Sequence, residues 1–473
     1  MATLNSALQI ITGALTADQA ALNITANNTA NASTPGYTRE IPIWESNDPV
    51  TINGISYGQG VQVVQAQSQR SLVLNANIEQ QQQAQQATNS EWTALQGVEG
   101  IFNQVTSSTS GSSPGSLGDM VTSFFNSVSA LENDPDDTPT RDGVLSAATS
   151  LAQTFNSDAS QLQAQTSSLN EQVGGIVEQI NPLLNSIAQL NQQISSTSPN
   201  ADAGQLEDQR QQDIQQLSQY IGINTVSTEN NGLTITTTSG ALLVSEGQAY
   251  QLTTGNVNGN VDVFTSAPGN VADITTAQAS GGGQLAGLLT TRDQDIPSAM
   301  NSIDTLAYNL ATQVNAVQTA GSDQNGNPGV ALFNIPGTVA GSAAGISVAI
   351  TDPSQIAAAG AGLGPGDNSN AAVMANLQNQ SIVGGQTATN YYASFISSLG
   401  SQVSGLDTQN TAQQASLTQL QTQQSALSSV SLNDEASNLQ TYEQAYQSAA
   451  QFFNVLNTVM TSALNLGVET AVE

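Results

Sequence analysis

The side chains of this sequence that could do chemistry are carboxylates, and almost nothing basic stands against them. Asp and Glu number 36, basic residues only five, and His and Cys are absent from the 473 residues. Ser–His–Asp triads, Cys–His pairs, imidazole bases and thiolate or imidazole zinc sites are therefore excluded. Asp134, Asp136, Asp137 and Asp142 form an acidic cluster that could hold a divalent cation weakly. Acidic residues ahead of a helix also complement its N-terminal charge, which is the better reading. Thr138 followed by Pro139 fits an N-cap with proline in the first turn. Asp323-Gln324-Asn325-Gly326-Asn327 is similar to the start of a calcium loop, but its twelfth position is Asn334 where such a loop needs a bidentate Glu. A β-turn is the better reading there. No catalytic residue, metal site or cofactor is expected.

The charge narrows the partners. All five basic residues are Arg, and the net charge is −31. A nucleic-acid partner needs a basic surface, and an anionic membrane attracts one, so neither is expected. Only 9% of residues are charged. Helices cannot then rely on Glu–Lys pairs, and packing must hold them. No apolar run approaches the ~20 residues of a membrane span. The first residues lack a basic region, so no cleaved secretory signal is expected.

The elements that must position these side chains are mostly helical. Leu4, Leu8, Ile11, Leu15 and Leu22 share one stripe of a first helix that should end before Asn31–Gly36. At the other end Leu439, Tyr442, Tyr446, Ala449, Phe453, Leu456, Met460 and Ala463 alternate by three and four, the pattern of a coiled-coil seam. Asp18 is the only charged residue in 1–35, and Glu443 the only one in 439–467. A polar but uncharged outer face suits burial in a wall of like subunits, where unpaired charge is costly. The plain alternative is an ordinary core helix.

Between the ends, Val61–Gln67 reads as a strand. Helices are marked by Trp92, Leu95, Val98 and Phe102, then after a Ser/Gly loop (106–116) by Val121, Phe124, Val128 and Leu131. A heptad run from Leu169 to Ile194 contains Pro182, where a kink is expected. Leu206, Arg210, Ile214 and Leu217 form a shorter helix ending at Gly222. The period then falls to two. Leu233–Thr237, Ala241–Val244 and Val261–Phe264 read as strands, with turns at Asn230-Asn231-Gly232, Ser239-Gly240 and Asn258-Gly259. Gly281–Gly283 is the exit from this insert. Helices return over 296–317 and 395–427. Asn410 and Gln413 interrupt the last stripe and would fix its register. The Gln run 80–86 reads as a solvated helix face, and Ile346–Ile350 as a strand in a loop-rich stretch. The expected fold is mainly α with an inserted small β domain. Long terminal helices (1–60 with 430–473) pair as a coiled coil. A helical-bundle body (61–222 with 284–320 and 370–429) carries a β-rich outer domain (223–283) and a loop-rich insertion (321–369).

After the first helix comes ALNITANNTANASTPGYTRE, residues 21–40. Asn side chains satisfy backbone groups in a packed loop, Pro35–Gly36 sets a turn, and Tyr37 and Arg39 can anchor it by burial and a two-point contact. This segment resembles the N-terminal signature of the flagellar axial proteins of the rod, hook and junction, at Leu22, Asn23, Asn27, Asn28, Asn31, Thr34, Pro35, Gly36, Tyr37 and Arg39. The C-terminal run resembles the other end of the same family, at Leu432, Glu435, Leu439, Tyr442, Gln444, Tyr446 and Leu464. The interior stretches 206–225 and 282–318 are similar to the junction members. The stretch 328–370 is too short for the extra outer domain that some members carry. Asn23, Asn27 and Asn31 each begin a glycosylation triplet, but their axial position argues against modification.

The resemblance implies a secreted structural subunit of the bacterial flagellum, an adaptor between hook and filament. It implies export through the flagellar type III system without signal cleavage, and a cytoplasmic chaperone at the C-terminal helix. Its assembly partners would be like subunits in a ring, the hook and a second junction protein, met through the terminal helices. Its alternatives are a distal rod or hook subunit and, in another class, a secreted coiled-coil effector or adhesin.

Overall fold

The computed structural model describes residues 2–52, 54–102, 115–198, 201–266 and 271–469. Most of the Ser/Gly loop expected at 106–116 lies outside them. Helix α1 (Ala2–Asn31) leads into four strands, β1 (Glu40–Ser46), β2 (Val50–Ile52), β3 (Ile55–Tyr57) and β4 (Val61–Ser68). β1 and β4 pair antiparallel, Glu40 opposite Ser68 and Ser46 opposite Val61, with a register slip between Ile43 and Trp44. β2 and β3 form a short hairpin beyond them. Sequence reading found only β4, because the polar residues of 40–57 hide the alternation. The hairpin partner of β1 lies beyond residue 60, so the edge expected there divides a paired unit.

The body is built from α2 (Leu72–Phe102), α3 (Leu117–Asn133), α4 (Thr138–Thr197) and α5 (Gln205–Tyr220). α4 starts one residue earlier than expected. Its N-cap is Asp137, whose carboxylate accepts from Thr140 N at 3.0 Å, and Thr138 is already helical. An Asp outcompetes the neighbouring Thr because its charge also meets the helix dipole. Pro182 sits inside α4 without ending it.

Seven strands follow. β5 (Ile223–Ser227), β6 (Leu233–Thr237), β7 (Leu242–Ser245) and β8 (Gln248–Ala249) form one antiparallel sheet. β9 (Leu252–Val257), β10 (Asn260–Thr265) and β11 (Ala272–Asp273) form another. Asn230, Asn231, Asn258 and Gly259 take positive φ in the turns, as tight hairpin turns require. Polar side chains along α4 hold both sheets to it. Asn191 donates to Leu233 O and Glu246 O, and Asn181 exchanges two bonds with the backbone of Leu252. Ile235, Val244, Leu252 and Val263 share one core with Phe155, Ile180 and Ile187 of α4.

The chain returns through α6 (Thr275–Ala279) and α7 (Gly283–Thr290), and a π turn (Thr291–Asp295) joins α7 to α8 (Ile296–Ala320). Gly287 lies against the backbone of Ala87 on α2, too close for a Cβ. The loop-rich stretch is packed, not loose. β12 (Gly321–Ser322) pairs with β15 (Ala359–Gly360), and β13 (Phe333–Asn334) with β14 (Ser347–Val348), with α9 (Ser342–Gly345) between β13 and β14. Buried Arg141 of α4 clamps this stretch, donating to Ile356 O at 2.6 Å. Helices α10 (Ser369–Asn376), α11 (Ala388–Ser428) and α12 (Leu432–Glu469) complete the chain.

One expectation is overturned in α2. Gln82, Gln83 and Gln85 of the supposedly solvated run are buried. Gln85 donates to Asn410 Oδ1 at 2.9 Å, Asn410 donates to Asn89 at 3.1 Å, and Gln424 donates to Asn75 at 2.8 Å. Helix α11 therefore meets α2 along a seam of amides, which satisfy one another's donors and acceptors when paired.

Candidate assembly site

Four segments meet at one point: the end of α1, the turn 32–36 leading into β1, the first turn of α5, and the bend between α11 and α12. α1 stops where small and turn-forming residues begin. Thr34 N donates to Asn31 O at 2.9 Å and Tyr37 N to Thr34 O at 3.2 Å. Gly36 takes a φ of 75°, with Gln212 of α5 packed where a Cβ would stand. Gln212 also donates to Pro35 O at 2.9 Å.

Asn28 is the centre of the site. It is 1% exposed. Its amide oxygen accepts from Glu40 N at 2.9 Å and Tyr37 OH at 2.8 Å, and its nitrogen donates to Glu40 O at 2.8 Å and Glu435 Oε2 at 3.2 Å. All four bonds that an amide side chain can make are therefore made. Glu435, also 1% exposed, accepts from Arg39 Nε at 2.7 Å through its other oxygen. The contact is a single Nε–Oε1 bond, not the expected two-point one. Arg39 N donates to Ser428 O and Gln69 N to Arg39 O. Residues from opposite ends of the chain are thus locked by one buried cluster.

A second cluster continues it into the body. Thr38 donates from both N and Oγ1 to Asp208, at 2.8 and 2.7 Å. Arg70 bridges Glu207 at 2.5 Å, Asp208 at 3.3 Å and Asp202 at 3.5 Å. Asp202 in turn accepts from Ser68 N at 2.6 Å. Burial pushes the Tyr37 hydroxyl pKa up, and the carboxylates of Glu40, Asp208 and Glu435 push it further. Tyr37 therefore stays a donor. Burial, then the neighbouring Asp202 and Asp208, raise Glu40 above the usual carboxylate range. A cavity of about 270 Å³ lies beside the cluster, lined by Thr34, Gly36, Tyr37, Arg70 and Leu427 among others.

The sequence motif is only partly gathered here. Asn31 donates to Asn27 Oδ1 at 2.9 Å, Asn27 to Tyr37 OH at 3.3 Å, and Thr34 to Asn31 Oδ1 at 3.2 Å. Leu22 is half-buried further back on α1, and Asn23 is exposed there. The salt-bridge residues Arg70, Asp202, Glu207 and Asp208 were missed as site residues. Their signal was that Arg70 is one of five bases in a strongly acidic chain.

The terminal helices α1 and α12 pack on each other, and α1 also packs on β1 and β4. Leu4, Leu8, Ile11, Leu15, Tyr442, Phe453, Leu456 and Met460 are half-buried. Leu439 and Tyr446, expected in the seam, are exposed. The deeply buried stripe of α1 is Ala17, Ala21, Thr25 and Asn28. Small residues there let neighbouring backbone approach, a pattern that a search for Leu overlooks. Trp44 rests against Tyr442 with ring centroids 6.1 Å apart. Among the described residues no group of three or more acidic side chains is arranged to hold a metal ion. No described helix is long and apolar enough to cross a membrane.

The chain is thus mainly helical, with the end of α1 fastened to the start of α12 by a buried polar cluster. Comparison with known proteins gives its family. The family model for the flagellar hook-associated protein FlgK helical domain matches residues 95–333, and the model for the flagella basal body rod protein matches 8–38. Flagellar hook-associated protein 1 of Salmonella typhimurium is 25% identical over 96% of this chain and 98% of its own length. The proteins of the same description from Escherichia coli and Bacillus subtilis are 27% and 26% identical, again over 96% of this chain. The solved structure of the flagellar hook junction protein FlgK from Burkholderia pseudomallei superimposes with a TM-score of 0.66 at 20% identity, covering 76% of this chain and 100% of that one. The fold is therefore shared with that protein. The chain belongs to the FlgK family of flagellar hook-associated proteins.

Proposed function

We propose that the chain is the junction adaptor between the flagellar hook and the filament, a structural subunit that acts by packing and not by catalysis. The observation that carries this reading is the buried cluster of Asn28, Tyr37, Arg39 and Glu435, which fastens the N-terminal motif to the start of α12. A subunit so fastened presents α1 and α12 side by side to a common wall. Its partners there are like subunits in a ring, the hook below and a second junction protein above. Export through the flagellar type III system, without signal cleavage, delivers the chain to the tip. A chaperone covers α12 beforehand, consistent with the exposure of Leu439, Phe452 and Val455, since such a patch otherwise invites aggregation.

Electron microscopy of cells lacking the gene tests this. Bare hooks, with flagellin released into the medium, are the expected result. Intact filaments would overturn the proposal. The rod-protein match over 8–38 favours a distal rod or hook subunit as the second reading, and cells without hooks would select it.

A further inference from the structure

The axial unit carries two apolar surfaces that the single chain leaves uncovered. The first is the β2–β3 hairpin. Val50 faces Tyr57 across the two strands, and Ile55 stands two residues before Tyr57, so Val50, Ile55 and Tyr57 share one face, because alternate residues of a strand point the same way. Val50 is 45% exposed, Ile55 58% and Tyr57 40%. A lone two-stranded hairpin is marginal in water unless something covers its apolar face. The second surface is on α12. Phe452, Val455 and Val459 stand at helical spacing and are 66%, 62% and 49% exposed. They lie beside the stripe Phe453, Leu456 and Met460 that is half-covered. Helix α12 is thus apolar on a face that α1 does not reach.

Charge says what covers them. The chain carries −31 overall, so two copies repel over most of their surface. Residues 49–66 contain no charged side chain, and 439–467 contain only Glu443. These are places where copies of this acidic chain can meet with little repulsion. The two patches differ in shape, one a flat ribbon and one a helix ridge, and laying the ribbon of one copy on the ridge of the next covers both at every contact. Contact between unlike patches on identical subunits is head-to-tail, the kind that builds rings and helical arrays. The root of the hairpin already touches α12 of its own chain through Trp44 and Tyr442. Tyr442 precedes Phe452 by about 15 Å along the helix, so a neighbour's hairpin on Phe452–Val459 would continue that contact.

We propose that the apolar face of the β2–β3 hairpin of one copy docks on the Phe452–Val455–Val459 face of α12 of the next copy. The inference deepens the junction reading and rests on it for the presence of a ring.

The chain contains no cysteine, which makes cross-linking a clean test. Full-length chain carrying both Ile55→Cys and Val455→Cys is expressed in motile cells and oxidised on the assembled flagellum. The expected result is a ladder of disulfide-linked multimers, absent from either single variant and from Ser56→Cys with Val455→Cys, because Ser56 points to the opposite face of the hairpin. Motile cells with no ladder would overturn the inference while leaving the junction reading intact. Dimers from a single variant would overturn it in favour of a symmetric contact. Loss of the junction reading itself shows separately, as intact filaments in the deletion strain. As a second measurement, Ile55→Asp and Val455→Asp should each abolish self-association of the purified chain in light scattering, whereas Ser56→Asp should not. Equal association of all three would also overturn it.

Discussion

At the scale of single residues the decisive feature is the asymmetry of the buried ion pair. Glu435 is 1% exposed and Arg39 24%. Removing either partner leaves the other unpaired, but the two are not equally stranded. In Glu435→Ala the guanidinium of Arg39 can reach water, and the cost should be about 1–2 kcal/mol. In Arg39→Ala the Glu435 carboxylate stays buried with Asn28 as its remaining hydrogen-bond donor among the described residues, and the cost should approach about 3 kcal/mol. Chemical denaturation of the two variants checks the order, and equal losses would mean that burial does not govern this pair. Asn28→Ala removes four bonds and leaves Tyr37 OH, the Glu40 backbone and one Glu435 oxygen without that partner. A loss of about 2–4 kcal/mol is expected, with hydrogen exchange accelerating in both α1 and α12. Faster exchange confined to α1 would show that Asn28 does not couple the ends. Asn28 was legible in the motif. Its four bonds were not, because the partners lie up to 407 residues away, and spacing in sequence says nothing about such meetings.

At the scale of elements the helices were legible and their faces less so. Heptads marked α4, α8 and α12, but the amide seam between α2 and α11 was read as solvent-facing. The rule that Gln lies outside fails where two helices each offer amides that can satisfy one another. The seam makes a specific forecast. Gln85→Leu or Asn410→Leu alone leaves an amide of the seam unpaired and should cost about 1–2 kcal/mol, whereas the double variant should lose clearly less than the sum of the two, with Asn89 still lacking its bond from Asn410. Additive losses in thermal denaturation would show that the two side chains do not act as a pair.

Two helices also carry carboxyls in the wrong medium. Burial pushes Asp158 of α4 up to about 7, and burial together with the nearby Asp295 pushes Glu91 of α2 up to about 7. A carboxyl raised on folding stabilises the fold fully below its unfolded pKa and loses that effect as pH rises through the folded value. Stability from these two groups should therefore decline between about pH 4 and pH 7. Asp158→Asn should flatten the profile by on the order of 2 kcal/mol. A stability curve that rises steadily from pH 4 to pH 8, unchanged in the variant, would refute this assignment.

At the scale of the whole molecule, net charge and terminal composition oppose each other, and under the proposed junction role their balance should set the conditions for assembly. Thirty-six acidic side chains against five basic ones make copies of the chain repel, and on the proposed reading α1 and the stretch 439–467, with one charge each, gather them. Salt acts on the first term far more than on the second. The screening length falls from about 30 Å at 0.01 M to about 10 Å at 0.1 M ionic strength, which removes repulsion between bodies standing side by side while leaving apolar contact at the helices in place. The concentration at which the purified chain begins to associate should thus fall several-fold over that range. A change such as Phe453→Asp on α12 should raise it at every salt concentration, because it puts charge beside the exposed Phe452–Val455–Val459 face and into the half-covered stripe of α12 while the helical body stays folded. Sedimentation velocity across an ionic-strength series, with circular dichroism to confirm the fold of the variant, measures both effects. Association that weakened with added salt would mean that attraction between charged groups, not apolar packing of the ends, brings the subunits together. In that case the near absence of charge from α1 and from 439–467 of α12 would need a different cause.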